Sequence, residues 1–476
     1  MRNGKRWRGY AILAGLTFIV ALAVGPGNRS AHGQEDTLYL PVVIGVDDPL
    51  NLPLQWATYM GGTATDDALN VVGIAPDGTL LVGGRLAETP GGAPPATIEP
   101  GATSGAVLHV AAADGQVLSL LRLGAVVNDL EAGADGRVTT CGDFGIAALA
   151  TGTPRVLWHA DAGDTSRCAR GDDGTAAGLT GNTVTVYDAA GVTLGSWRAG
   201  DNVRDVAVDS AAGLVFATGY TQKASDLKVP YLRAWTYDGR ARWTAYDFDA
   251  SALKAAGLTA DAEGLRVAMG RDGWLYFAGN ADGGNAIFAR DPQDVSRRLS
   301  ATELIKTDAY NDPYNLSGAK ALAWYGRFAP ATGSIDRGQW LLTRLSSGKG
   351  NSIRIHGLTA MAGGCPVISG EAYASIERRS ERRVAGITVG PYAGGEPFVL
   401  TLSPDWRTRT RWSPLTAPDA TGGAGSSPAS AIATRDGQVV LGLTLNNGAL
   451  VTHSAQQVTP GTLAEGYLAA WRTACE

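Results

Sequence analysis

Short runs of alternating apolar and polar residues, each closed by glycine, recur along almost the whole chain. In the run from Asp205 to Asp209, Val206 and Val208 fall on one side of an extended backbone, with Asp205 and Asp209 on the other. A period of two marks a strand with one buried face. The pattern resolves into seven units of strand, glycine turn and second strand: "VVGIAPDGTLLVGG", "NDLEAGADGRVTTCG", "SRCARGDDGTAAGLTG", "VRDVAVDSAAGLVFATG", "GLRVAMGRDGWLYFAG", "IRIHGLTAMAGGCPVISG" and "ASAIATRDGQVVLGLT". Their turn glycines are Gly78, Gly136, Gly174, Gly213, Gly273, Gly364 and Gly437. In five units a second glycine follows six residues later, at Gly84, Gly142, Gly219, Gly279 and Gly370. Asp-Gly at the turn supplies the positive φ of a tight hairpin.

Each hairpin is flanked by two more strands, one before it ("LQWATYMGG", "LSLLRLG", "ARWTAYDFD") and one after it ("AVLHVAAADG", "YLRAWTYDG", "GYLAAWR"). Four strands repeated seven times predict an all-β fold, a seven-bladed β-propeller of four-stranded antiparallel blades. The propeller is expected to span 54–476, with 34–53 as a linker or latch strand. Only "DASALKAAGLTADAEG" looks helical. With strands lettered A to D in chain order, long insertions fall between C and D: 85–104, 281–318, 371–396 and 445–465. Alternate connections emerge on one face, and insertions gathered on one face often mark a binding face. Ring closure stays open at this stage, because a closing blade built from both termini would shift the lettering by one.

The passage "WATYMGGTATDDALNVVGIAPDGTLLVGGR" resembles the repeat of bacterial seven-bladed β-propellers (the SBBP type), which opens W-x-T-Y-L-G-G and continues through an Asp to a hairpin. Trp56, Thr58, Tyr59, Gly61, Gly62, Asp66, Gly78 and Gly84 carry the match, and later units match mainly in the hairpin. The resemblance implies an extracellular or cell-surface bacterial protein. It implies no activity, because the repeat has no shared catalytic residues.

The N-terminus agrees with export. "MRNGKRWRG" is basic, Tyr10 to Val24 is apolar, and "GPGNRSAHGQ" offers small residues for cleavage before Gln34. This reads as a signal peptide over 1–33, the alternative being a retained anchor. Its removal leaves 35 basic against 45 acidic groups. That balance argues against nucleic acid, which needs clustered cations; "ERRSERR" interleaves glutamate and reads as a solvated loop. No later stretch is apolar enough to span a membrane, and a monomer is expected.

Four cysteines in an exported chain suggest disulfides. Cys141 and Cys168 fall at similar heights on neighbouring blades, and Cys365 and Cys475 at the same end, so the expected pairs are Cys141–Cys168 and Cys365–Cys475. Four free buried thiols are the alternative. No metal spacing, nucleophile motif or phosphate loop occurs, so neither metal nor cofactor is expected. The densest polar-aromatic stretch is "KTDAYNDPYNLSGAKALAWYGRF", where Asp308, Tyr310, Asn311, Asp312, Tyr314 and Asn315 suit sugar or peptide recognition. The same residues equally suit turns around Pro313.

Together these features point to an exported, non-enzymatic propeller that binds or scaffolds an extracellular glycan, protein or surface polymer. The alternative is a propeller enzyme with its site at the channel mouth. It could be a polysaccharide hydrolase or lyase, or a quinoprotein-like oxidoreductase suggested by the Gly-to-Trp spacing of "TYDGRARW" and "PATGSIDRGQW". Acidic or His clusters at one mouth would favour the enzyme, and an aromatic-lined mouth would favour binding.

Overall fold

A computed structural model describes residues 48–475, apart from 63–65, 152–154, 226, 284, 314–319, 393, 419, 421–424, 427–430 and 462–463. The expected signal peptide, most of the 34–53 segment, and Tyr314 and Asn315 lie outside the described residues. The first strand of every hairpin becomes an innermost strand. These strands are Ala68–Ile74, Val127–Ala132, Thr165–Arg170, Val203–Asp209, Ala262–Met269, Ile353–Ala360 and Ala431–Arg435. Each packs on the next, and the last returns against the first. Outward from each run three further antiparallel strands, so the fold is a β-propeller of four-stranded blades.

Among the described residues, eight sheets have three strands or more, one beyond the seven expected from the repeat. The additional sheet is small and lies off the ring of inner strands. Asn51–Leu52 pairs in parallel with Arg383–Val384, which pairs antiparallel with Ile387–Thr388. An Arg383–Asp48 ion pair adds to this junction. It arises because the 371–396 insertion carries its own β-hairpin, which no alternation in "ERRSERRVAGIT" announces.

The closing sheet resolves the lettering. Leu54–Met60 pairs antiparallel with Glu465–Arg472, joining the two ends of the propeller in one blade. Likewise Val117–Arg122 is the fourth strand of its blade, beside Gly105–Val110, so each strand before a hairpin belongs to the preceding blade. The disulfide Cys365–Cys475, with Cα atoms 5.7 Å apart, ties the chain end to the hairpin turn of the preceding blade. The expected Cys141–Cys168 bond is absent: both are buried free thiols whose side chains hydrogen-bond each other. Burial pushes both thiols up, which suppresses the thiolate that would begin oxidation.

Two sequence features acquire physical causes. In the five units that have it, the glycine six residues beyond the turn faces a β-bulge in the innermost strand: Gly142 opposes Val127 and Gly279 opposes Gly264, each where the register shifts. A Cβ on Gly142 would lie 2.0 Å from the Val126 carbonyl oxygen, so this position requires glycine, whereas the third blade carries its bulge opposite Thr180. The tryptophans of the outer strands Trp56, Trp158, Trp197 and Trp243 lie against turn glycines of the next blade, Gly115, Gly191, Gly239 and Gly333. The Trp56 and Trp243 indoles also donate to Ala112 and Pro330 carbonyls at 2.8 Å. No described helix is long and apolar enough to cross a membrane.

A candidate ligand site in the axial channel

A bulge leaves one residue unpaired and re-aims the side chains beside it. Here the residues just after successive bulges are Asp129, Arg167, Asp205 and Arg266, one from each of four neighbouring blades. They alternate in charge around an axial channel of about 860 Å³. Arg167 stands 4.0 Å from carboxylate oxygens of both Asp129 and Asp205. Burial alone would lower the Arg167 guanidinium, but these two carboxylates hold it above its ordinary value.

Backbone donors from the next blade fix the acids. The Cys168 N–H donates to Asp129 Oδ2 at 3.2 Å, the Arg170 N–H to Glu131 at 2.8 Å, and the Val267 N–H to Asp205 at 3.0 Å. Arg266 Nε donates to the His356 carbonyl at 2.6 Å. These partners leave the charges incompletely compensated. Burial pushes Asp129 up to about 6 and Glu131 up to about 7, and raises Asp205 as well. Burial, then repulsion from Arg167, lowers Arg266 to about 10. Desolvated carboxylates and a desolvated guanidinium sharing one channel mark a candidate functional site. Among the described residues no Phe, Tyr or Trp lines this channel.

The stretch singled out in sequence is placed elsewhere and engaged internally. Asp308 accepts from Arg409 at 2.5 and 2.9 Å, and Asp312 pairs with Lys306 at 2.7 Å. Asn311 is buried, donates to the Trp340 carbonyl at 2.7 Å, and accepts from Arg409 and Thr307. Tyr310 lies edge-on to Trp412 with ring centroids 5.4 Å apart, under Arg344 and Arg409. Asp308, Tyr310 and Asn311 therefore come together and anchor the insertion to the outer strand Arg409–Pro414, while Asp312 pairs within the insertion. Among the described residues no group of three or more His, Cys, Asp or Glu could hold a metal ion.

The channel residues carry a signal in the sequence. Asp129, Arg167 and Arg266 each stand seven residues before their turn glycine, and Asp205 eight before its own. That column alternates in charge from blade to blade.

No family model matches the sequence. No curated protein matches it. Among solved structures, a chain of "Crystal Structure of Mitotic Checkpoint Complex" aligns over 90% of this chain and 98% of its own, with 10% identity and a TM-score of 0.44. A chain of the Kuenenia stuttgartiensis hydrazine synthase covers 47% of this chain and 80% of its own, with 14% identity and a TM-score of 0.33. Neither similarity carries a functional argument.

Proposed function

We propose that the chain is an exported, non-enzymatic propeller of the bacterial SBBP-type class, which recognises an extracellular or cell-surface glycan, protein or polymer at its channel. The observation that carries this reading is the set of under-compensated charges, Asp129, Glu131, Asp205 and Arg266, in a channel of about 860 Å³. A ligand that restores their lost hydration bonds recovers part of that desolvation cost. A charged glycan fits best, because hydroxyls and carboxylates can use both the arginines and the acids. A protein hot spot is built on apolar sockets, whereas polar surface predominates in this lining. The chain acts as a monomer, and its acidic balance does not favour nucleic acid.

Glycan-array binding by the purified protein tests this, beside Asp129→Asn/Arg266→Met and Tyr310→Ala variants. Binding lost only in the first variant supports the channel. Binding lost only in Tyr310→Ala moves recognition to the 281–318 insertion, and silence across the array leaves a protein partner to be sought. One observation favours the enzyme alternative: Asp129 and Glu131, two residues apart on one strand, stay protonated up to about 6 and about 7, which suits general acids. Release of reducing sugar from an acidic polysaccharide, abolished in Glu131→Gln, would establish it.

A further inference from the structure

The channel has two unlike walls. The inner strands that begin at Val127, Thr165, Val203 and Ala262, with the turns beside them, carry all the Asp, Glu and Arg that face it among the described residues. The three neighbouring strands that begin at Ile353, Ala431 and Ala68 present Gly357, Ile432 and Val71 instead. Burial lowers His356, their one titratable lining group, further below its ordinary 6.5, so this wall is uncharged at neutral pH. The space runs the length of the strands, from Asp164 before Thr165–Arg170 to Asp172 beyond it. Six strand residues rise about 20 Å, so a ligand that fills the channel is extended.

Negative charge exceeds positive along this path. Asp129, Glu131, Asp164, Asp172, Asp205 and Asp209 line it, against Arg167, Arg170, Arg266 and Arg271. Arg170 is taken up by Asp135, outside the lining, at 2.5 Å, which leaves three arginines for six acids. Glu131 accepts only the Arg170 backbone N–H and forms no ion pair among the described residues. Arg271 lowers the Glu131 pKa from a distance, against the larger effect of burial. Asp129 and Glu131 are only partly buried, so both carboxylates can be reached from the channel. A carboxylate in such surroundings is stabilised by a cation, and the chain's net charge of −5 draws cations toward it.

A polyuronate would set its carboxylates against this excess of acids. A polyamine would bring no acceptor to Arg167 or Arg266. An extended peptide would turn amides toward Val71 and Ile432, which cannot bond them. Resting on the reading of the channel as a glycan site, we propose that its ligand is a linear amino-sugar polymer, bound through its ammonium groups. The ammonium groups face Glu131, Asp129 and Asp205, hydroxyl oxygens accept from Arg167 and Arg266, and the C–H faces of the rings lie along Val71 and Ile432.

Calorimetric titration of the purified protein with three 1,4-linked hexamers, of D-glucosamine, N-acetyl-D-glucosamine and D-galacturonate, tests the proposal in mildly acidic buffer, where the amines are protonated. The glucosamine hexamer should bind at least about tenfold more tightly than either of the others, the effect of one charge-assisted bond. Glu131→Gln should weaken it about tenfold and leave the N-acetylated hexamer within about twofold. Equal affinity for the amine and its N-acetylated form overturns the proposal. So does undiminished glucosamine binding by folded Glu131→Gln, with folding checked by its melting curve. If Glu131→Gln does not fold, Asp129→Asn and the comparison of hexamers decide. Preference for the galacturonate hexamer sinks the amino sugar but keeps the glycan site, whereas tighter binding of hexalysine, or of no sugar at all, sinks the wider reading too.

Discussion

Gly279 shows how one residue type reaches the functional site. A Cβ there would lie 2.4 Å from the Glu263 carbonyl oxygen, at the bulge that turns Arg266 toward the channel. Gly279→Ala should therefore cost about 2–4 kcal/mol in denaturant unfolding, in the range of disrupted packing. Gly213→Ala meets open space but keeps a φ of +63°, so about 1 kcal/mol is expected there. Glu131 makes a second residue-scale prediction. Its folded pKa, about 7, lies above the ordinary 4.5, so between those values the native state holds more protons than the unfolded chain. Stability then falls as pH rises through that window. Glu131→Gln should flatten this fall and be the more stable protein above pH 7, by on the order of 1–3 kcal/mol, as read from unfolding midpoints at about pH 5 and about pH 8.

At the scale of elements, the hairpins were legible because Asp-Gly turns and alternation are local properties. The bulge was not, because it changes which way a residue points without changing the alternation around it. Asp129, Arg167 and Arg266 therefore looked like ordinary strand positions. The polar residues around Pro313 show the converse: their composition suits recognition, and in the fold Arg409 and Trp340 bond Asp308 and Asn311. The repeat's acid is similarly displaced by one. Asp67, rather than Asp66, accepts from Gly62 and Ala87 N–H groups at 2.7 Å. The Gly-to-Trp spacing serves docking between blades: Gly239 lies under Trp197, and Trp243 lies on Gly333, whose Cβ would be 2.5 Å from the ring. Trp243→Ala should cost about 3–5 kcal/mol and shift the unfolding midpoint accordingly.

At the scale of the whole molecule, a ring is only as stable as its closure. Leu54–Met60 and Glu465–Arg472 supply it by pairing across the sequence, and no local pattern could specify that register. The disulfide, spanning a sequence separation of 110, restrains the same end. Cys475→Ser should lower stability by about 2–5 kcal/mol. Thiol titration should find two reactive groups in the unfolded wild type and none reacting quickly in the folded protein, since Cys141 and Cys168 are buried.

A ligand site of this kind must hold acids which the protein does not fully compensate. Carbon-detected NMR titration of the side-chain carboxyls measures this without knowledge of any ligand. The expected midpoints are about 6 for Asp129 and about 7 for Glu131. Midpoints at the ordinary 3.8 and 4.5 would mean that water already satisfies these groups, and the channel would lose its claim to be the site.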